Sequence, residues 1–283
     1  MLKQHNDAMV VASSIAFSSI DSMRPVFEQG IGVEVFMDMP NWYDEVVVEN
    51  SLNRLVQTFG LIPLSFHASM GDELDLSEPL GSAPQQKALA TFHRTLAMAG
   101  RLSALHMVIH THEHHKLIPD DVRPVYQERV KHSLTQLGIW ADQWGVEVLV
   151  ENIGTAATGT LLFREQEFID LFDEIQGINA LVDVGHAFLN RWDIPDVLRR
   201  LGPRVSALHL HDNHGLNDEH LPIGKGRLPW DAIGEAVRNL ATTPTLVLEY
   251  ETVKDGKIME ELLDGEAFVR SWLEQKTKLE HAG

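Results

Sequence analysis

The sequence predicts an α/β fold, a single (β/α)8 TIM barrel whose site lies at the carboxyl ends of the strands. Short runs rich in Val, Ile and Leu recur eight times along the 283 residues, and amphipathic segments separate most of them. A doubly wound open sheet is the alternative, but no GxGxxG motif follows the first strand, which weakens its dinucleotide-binding version. Because no low-complexity linker divides the chain, we expect one domain over residues 1–283.

Each predicted strand is a short apolar run that stops at polar or glycine-bearing sequence. In chain order the runs occupy residues 9–14, 32–37, 61–67, 104–110, 146–151, 180–183, 205–211 and 245–249. Near-continuous apolar runs are typical of parallel strands, which are covered on both faces.

The helices are predicted from amphipathic periodicity and from their start signals. They occupy residues 48–59, 84–101, 121–144, 163–175, 195–201, 231–240 and 262–278. Ser82 with Pro84, and Pro229 with Asp231, are such start signals. The longer insertions at residues 68–83 and 111–120 follow the third and fourth strands, so we expect them to be active-site loops.

Composition and charge narrow the class of function. The chain carries 23 basic and 41 acidic residues, a net charge of −18, which argues against nucleic acid as the partner. It contains no cysteine, so disulfides, thiolate ligands and cysteine nucleophiles are excluded. The absence of cysteine also fits a cytoplasmic location, which we expect. We expect neither a membrane span, which needs about 18 apolar residues, nor a signal peptide.

The ends of the predicted strands carry the main functional signal. Six consecutive strands end in a side chain that can bind metal: His67, His110, Glu151, Asp183, His209 and Glu249. Carboxyl ends of parallel barrel strands open on one face, so these six are expected to meet. Burying so many ionisable groups is costly unless a cation compensates. The mixed imidazole and carboxylate set suits Zn²⁺, Mn²⁺ or Co²⁺, with Mg²⁺ and Fe²⁺ as alternatives.

Other polar residues lie near these strand ends. Candidates for an additional metal or for substrate binding are His186, Asp218 and His220. A short Asp-x-His spacing can converge on one cation, although these residues could equally orient the loop or bind substrate. Weaker candidates for substrate binding are Glu34, His112, His211 and Lys225. His211 shares a strand face with His209 if the strand continues, where it could also hold a ligand carboxylate.

Five motifs place these residues in a recognisable order: VENIG at Glu151, LVDVGHAF at Asp183 and His186, ALHLHDN at His209, DEHLPIGKGRLPW, and LVLEY at Glu249. Together they resemble the xylose isomerase-like barrel superfamily over nearly the whole chain. That superfamily includes sugar phosphate isomerases and epimerases and endonuclease IV. The motifs are specific for the superfamily and much less specific for one member.

The resemblance to ketose epimerases implies one divalent metal held by Glu151, Asp183, His209 and Glu249. The two glutamates would also exchange a proton at the carbon beside a carbonyl, through a metal-stabilised enediolate, and His186 would contact substrate. The substrate would then be a sugar, a sugar phosphate or a related hydroxy-carbonyl compound. A lyase or dehydratase on the same barrel is a further alternative.

The resemblance to endonuclease IV implies instead three zinc ions, with counterparts for all nine ligands: His67, His110, Glu151, Asp183, His186, His209, Asp218, His220 and Glu249. One to three metal ions per chain are therefore open, and a phosphodiester hydrolase is the rival function. The segments after the second and third strands, MDMPNWYDEVVVEN and ASMGDELDLSEP, contain no Lys or Arg to grip DNA, so a small-molecule substrate fits better. A homo-oligomer is possible, but no stretch marks an interface.

Overall fold

Eight parallel strands close into a barrel in chain order, from β1 through β8 and back to β1. The computed structural model describes residues 9–37, 45–71, 73–113, 115–251 and 257–280. The strands are β1 (Val10–Ser13), β2 (Gly32–Phe36), β3 (Leu64–His67), β4 (His106–Ile109), β5 (Glu147–Glu151), β6 (Ile178–Asp183), β7 (Val205–Leu210) and β8 (Thr245–Leu248). The predicted barrel is thereby confirmed, and the doubly wound open sheet is excluded.

The helices pack outside the barrel. They are α1 (Arg24–Glu28), α2 (Glu45–Phe59), α3 (Ala83–Arg101), α4 (Arg123–Trp144), α5 (Glu165–Glu174), α6 (Val184–Leu189), α7 (Ile194–Leu201), α8 (Trp230–Asn239) and α9 (Ile258–Glu280). Among the residues described, none of these helices is both long and apolar enough to cross a membrane.

The predicted element bounds differ from the structure at a few points. Strand β3 begins at Leu64 rather than at residue 61, because Leu61 is 79% exposed and Pro63 has no N–H to pair. The carbonyl of Pro63 still accepts from Val33 N at 2.9 Å. The short helices α1 and α6 were not predicted, since five or six residues carry too little periodicity to be recognised.

A small apolar cluster lies inside the barrel below the ends of β4 to β7. Val108, Leu149, Leu181 and Ala207, one from each of β4 to β7, are fully buried and form a cluster of their own. Side chains alternate along a strand, so the residues two positions further on face the same interior. On β5, β6 and β7 those residues are Glu151, Asp183 and His209. This cluster therefore supports the polar site from below.

The two loops expected at the active-site face are tied to each other. Lys116, in the loop after β4, has its Nζ 2.8 Å from Asp75 Oδ2, 2.8 Å from Ser77 Oγ and 2.6 Å from Glu78 Oε1. Those three partners belong to the loop after β3. Lys116 is only 14% exposed at its side chain, so these charge-assisted bonds are shielded and fix one loop against the other.

Candidate metal centre

The ends of β3, β4 and β5 bring two imidazoles onto one carboxylate. Nε2 of His67 lies 3.2 Å, and Nε2 of His110 lies 3.0 Å, from Oε2 of Glu151. The Nδ1 of His67 donates to the carbonyl of Ala68 at 2.9 Å, because a carbonyl can only accept. A neutral His67 ring then turns the lone pair of Nε2 toward Glu151. Only a proton or a cation between them makes that contact favourable.

A second group converges on His209 at the centre of the barrel mouth. Its Nδ1 lies 3.1 Å from Glu249 Oε2, 3.5 Å from Glu151 Oε1 and 3.7 Å from Asp183 Oδ2. Glu151 thus faces both groups, one with each carboxylate oxygen. The six strand-end residues predicted to meet are brought together by the structure, and each is at most 9% exposed.

A third group lies above the barrel mouth, where α6 meets the loop between β7 and α8. Oδ2 of Asp218 lies 2.9 Å from His186 Nε2 and 3.2 Å from His220 Nε2. His211 completes the group, with its ring stacked on that of His220 at 4.0 Å and its Nε2 3.0 Å from Asp183 Oδ2. Asp218 and His220 thus lie together with His186; whether they bind a metal, bind substrate or orient the loop stays a prediction.

The position of His186 follows from the cap of α6. The side chain of Asp183 accepts a hydrogen bond from His186 N at 2.7 Å, so the last residue of β6 is also the N-cap of the helix. Gly185 leaves room for the ring of His211, which a Cβ at that position would overlap. Helix α6 therefore begins directly after β6, and His186 in the VDVGHAF motif lies in the site.

The loop between β7 and α8 is held by Asp212. This fully buried carboxylate accepts from Gly224 N at 2.9 Å, from Leu228 N at 3.1 Å and from Trp230 Nε1 at 2.9 Å. A two-way backbone bridge also joins Asp212 to Leu221. His220, just before the bridge, has a φ of +44°, a left-handed conformation that non-glycine residues rarely adopt. The anchored loop imposes this conformation and so aims His220 into the site.

The donor atoms fit a divalent cation. Five groups of three or four side chains each bring their ligand atoms within 4.8 Å of one another, and all of these atoms are imidazole nitrogens or carboxylate oxygens. Several of the atoms are buried without a hydrogen bond to any residue that the structure describes: Nδ1 of His186, His209 and His211, and Oδ1 of Asp218. Buried polar atoms normally have partners, so this clustering is the pattern expected of cation ligands.

The electrostatics of the site are those of carboxylates and imidazoles that stabilise each other's charged forms. Burial alone would raise the pKa of Glu151, but the imidazoles of His110 and His209 hold it well below its usual range. Burial would lower the pKa of His209, yet Glu249 and Glu34 raise it well above the usual value. Without a cation the His209 ring therefore keeps a proton that a bound cation would have to displace.

The weaker candidates occupy different surroundings. Glu34 is fully buried below the site and accepts from His209 Nε2 at 2.9 Å. His112 bonds to the carbonyl of Thr160 through Nε2 at 2.8 Å and to Thr111 Oγ1 through Nδ1 at 2.9 Å, and burial lowers its pKa to about 4. Lys225 is 58% exposed at its side chain and faces Glu261. Their predicted contacts with substrate stay predictions.

One buried polar residue was missed by the sequence reasoning. His106 opens β4 and is 2% exposed, with its Nε2 3.3 Å from Oε2 of Glu34. It was hidden inside an apolar run, although period-two alternation places it on the same strand face as Val108 and His110. His211 was expected to play a lesser part, but it belongs to two of the groups of candidate ligands.

Comparison with known sequences supplies a family and several relatives. The model of the xylose isomerase-like TIM barrel family matches residues 29–272. The uncharacterized protein y4fM of Sinorhizobium fredii is 28% identical over 232 residues, which are 74% of this chain and 72% of that protein. A D-psicose 3-epimerase of Enterocloster bolteae is 30% identical over 136 residues, which are 47% of this chain and 43% of the epimerase. The uncharacterized protein MJ1614 of Methanocaldococcus jannaschii is matched over 47% of its length. The chain therefore aligns with less than half of the length of MJ1614 and of the D-psicose 3-epimerase.

Solved structures resemble the chain over nearly its whole length. A D-tagatose 3-epimerase-like protein superposes with a TM-score of 0.80 at 18% identity, over 96% of this chain and 98% of that one. An L-ribulose 3-epimerase gives a TM-score of 0.74 at 13% identity, over 97% of both chains. At such identities the likeness shows that the fold is shared.

Proposed function

The chain belongs to the xylose isomerase-like TIM barrel family, and on that basis we propose that it is a divalent-metal-dependent isomerase or epimerase. Its substrate is a sugar, a sugar phosphate or a related hydroxy-carbonyl compound. The reaction moves a proton at the carbon beside a carbonyl group.

One observation carries this proposal. Glu151 at the end of β5 and Glu249 just after β8 approach the same atom, Nδ1 of His209, at 3.5 and 3.1 Å. Strands β5 and β8 are not neighbours in the barrel, so the two carboxylates face the barrel mouth from different walls. Proton exchange at one carbon needs a base on one side of the substrate and an acid on the other, and this pair supplies both.

The two glutamates are in the protonation state that a base requires. Burial raises the pKa of each, but His110 and His209 lower that of Glu151, and His209 lowers that of Glu249, below the usual range. Both are therefore ionised at neutral pH. We assign removal of the substrate proton to one of them. The other takes up a proton from solvent and delivers it to the opposite face of the same carbon, while His186, whose Nδ1 is 3.3 Å from Glu151 Oε1, orients a substrate hydroxyl.

The residues proposed to hold the main cation are Glu151, Asp183, His209 and Glu249, with His67 and His110 at the other oxygen of Glu151. A bound divalent cation would polarise the substrate carbonyl as a Lewis acid. The donor set suits Zn²⁺, Mn²⁺ or Co²⁺. The sequence similarity to a D-psicose 3-epimerase, and the fold shared with an L-ribulose 3-epimerase and a D-tagatose 3-epimerase-like protein, support a ketose as substrate.

The test is solvent exchange. The metal-loaded protein is incubated in D₂O with a panel of ketoses and hydroxy-keto acids, and deuterium in the substrate is followed by NMR. We expect exchange with at least one compound, and a loss of about 10²-fold or more in Glu151→Gln and in Glu249→Gln, because general acid–base catalysis contributes about 10² to 10⁴.

Glu147→Gln is the matched control. Glu147 lies on the same strand as Glu151 but at its opposite, exposed end, where it bonds to Ser206 Oγ at 2.9 Å. This variant should exchange deuterium like the wild type. Undiminished exchange in Glu151→Gln would contradict the role assigned to that carboxylate.

The rival function, metal-dependent hydrolysis of a phosphodiester, is favoured by a specific observation. Besides the group around His209, the site contains two more sets of candidate ligands, His67 with His110 and Glu151, and His186 with His211, Asp218 and His220. Three cations would suit the stabilisation of a phosphoryl group. The acidic loops around the site disfavour DNA itself.

Metal content and one activity assay separate the two functions. One ion per chain with deuterium exchange supports the epimerase. Three ions with cleavage of abasic-site duplex or of a small phosphodiester at low salt support the hydrolase.

A further inference from the structure

A second polar cluster lies inside the barrel below the proposed metal ligands. Its centre is Glu34 on β2, which is fully buried. Oε1 of Glu34 lies 2.9 Å from His209 Nε2, while Oε2 lies 3.1 Å from Ser65 Oγ and 3.3 Å from His106 Nε2. Both carboxylate oxygens are thus engaged by side chains of β3, β4 and β7.

We propose that Glu34 is a positioning residue that keeps the hydrogen of His209 on Nε2, so that Nδ1 is the atom offered to a divalent cation. The inference rests on the metal centre of the proposed function and adds to it the ligating atom and the group that selects it.

The chemistry of the contacts fixes the direction of the hydrogen bond. An ionised carboxylate only accepts, so Nε2 of His209 donates to Glu34. In the neutral ring that a metal ligand requires, Nδ1 then carries the lone pair. Nδ1 is buried and has no hydrogen bond within the described part of the chain, while three carboxylates lie 3.1 to 3.7 Å from it. A lone pair facing three carboxylates is repulsive until a cation lies among them.

His106 and Ser65 hold the carboxylate in this orientation. Both donate to Oε2 of Glu34 and leave Oε1 for His209. The registers pair Glu34 with Ser13 on β1 and with Ser65 on β3, so the backbone of Glu34 is fixed between two strands. The Glu34 side chain has no exposed surface, and both of its oxygens are engaged by protein donors.

The inference is tested by cation binding rather than turnover. Co²⁺ affinity is measured by competition with a chelator, and the visible absorption of bound Co²⁺ reports the ligand geometry. We compare the wild type with Glu34→Gln, Glu34→Ala and Ser65→Ala, and check the fold of each metal-free protein by circular dichroism.

Loss of a carboxylate partner behind a ligating histidine lowers metal affinity by about 10- to 100-fold, so we expect that loss in Glu34→Ala, with an altered Co²⁺ spectrum. Glu34→Gln keeps the shape but turns an amide NH₂ toward one of its donors, so its affinity should fall by a smaller factor. Ser65→Ala removes one of the two bonds to the other carboxylate oxygen and leaves that of His106, so its affinity should fall by a smaller factor than in Glu34→Ala.

The ligating atom is read from a long-range ¹H–¹⁵N spectrum of the Zn²⁺-loaded protein, in which the ring resonances of His209 are identified by their absence in His209→Gln. Hydrogen on Nε2 and metal-shifted Nδ1 is the expected pattern, and the reverse pattern overturns the inference. Wild-type affinity and spectrum in Glu34→Gln overturn it too, even if Glu34→Ala does not fold.

Failure of the inference and failure of the proposed function are distinguishable. A wild-type protein that binds Co²⁺ as expected but exchanges no deuterium with any substrate contradicts the epimerase proposal and leaves the role of Glu34 intact. A wild-type protein that binds no divalent cation overturns both.

Discussion

Asp183 combines two structural roles in one carboxylate. It faces His209 and His211 as a candidate ligand, and it caps α6 by accepting from His186 N at 2.7 Å. Asn is as good an N-cap as Asp, whereas Ala is not. The two substitutions therefore separate the charge of this residue from its cap.

We expect both Asp183→Asn and Asp183→Ala to lose most of the cation affinity, since both remove the negative charge. Only the Ala variant should lose, in addition, about 1 kcal/mol in the free energy of unfolding of the metal-free protein, the usual contribution of an N-cap. Urea unfolding of the two metal-free variants measures the difference. Equal stabilities would show that the cap contributes nothing here.

Proton binding at the imidazoles predicts how cation affinity depends on pH. Burial would lower the pKa of His220, but its hydrogen bond to Asp218 and the charge of Glu249 raise it to about 9. A group raised from about 6.5 stabilises the metal-free fold fully below that pH, and the contribution is lost as the pH rises through about 9. A cation competes with the same proton, so its apparent affinity should rise over this range if His220 is a ligand.

Chelator competition with Co²⁺ at several pH values measures this rise. Calorimetry in buffers of different ionisation enthalpy should also show a binding enthalpy that depends on the buffer, because protons are released. An affinity that is constant from pH 6.5 to 9 would contradict proton displacement.

Among the elements, the loop between β7 and α8 depends on one anchor. Asp212 accepts from the backbone of Gly224 and Leu228 and from the indole of Trp230. Buried donors that lose their acceptor cost about 1 to 3 kcal/mol each. Asp212→Ala should therefore destabilise the fold by about 3 kcal/mol or more and free the loop that carries Asp218 and His220.

Urea unfolding and cation stoichiometry measure the two effects of this variant. Glu219→Ala is the matched control, since Glu219 lies in the same loop but is partly exposed and bonds to the exposed His214. It should change stability little. Full stoichiometry in Asp212→Ala would show that Asp218 and His220 do not bind a cation, or that they bind it without the Asp212 anchor.

At the scale of the whole molecule, the buried charges at the barrel mouth make stability depend on cations. A ligand that binds only the folded state adds about 2.7 kcal/mol at a concentration one hundred times its Kd. We expect EDTA to lower Tm, and Co²⁺ or Zn²⁺ to restore it in proportion to the logarithm of concentration. A Tm that changes neither with EDTA nor with added cation would contradict the proposal that the barrel mouth binds a divalent cation.

The barrel could be predicted because its strands are apolar on both faces and because six of them end in ionisable residues. The predicted strand bounds were less accurate where a single residue determines the start of a strand. Pro63, for example, makes β3 begin at Leu64. The short helix α6 was not predicted, because its N-cap, Asp183, was interpreted from the sequence only as the last residue of a strand.

The sequence does not predict which side chains of the site form hydrogen bonds with each other. Glu34 and His209 are 175 residues apart, and nothing along the chain indicates that a strand in the first quarter supports a histidine in the last third. His106 looked like part of an apolar run. Such pairings depend on the register of strands around the closed barrel, which spacing along the chain does not reveal.

The closure of the β7–α8 loop by Asp212 has a consequence for protein engineering. Asp212 at the start of this segment forms hydrogen bonds with Leu228 and Trp230 at its end. Transfer of the whole segment to another protein therefore keeps these stabilising contacts. Grafting residues 212–230 onto a related barrel would carry Asp218 and His220 together with their support. Crossover points inside the segment would separate Asp212 from Trp230, so chimeras should be joined in β7 and in α8.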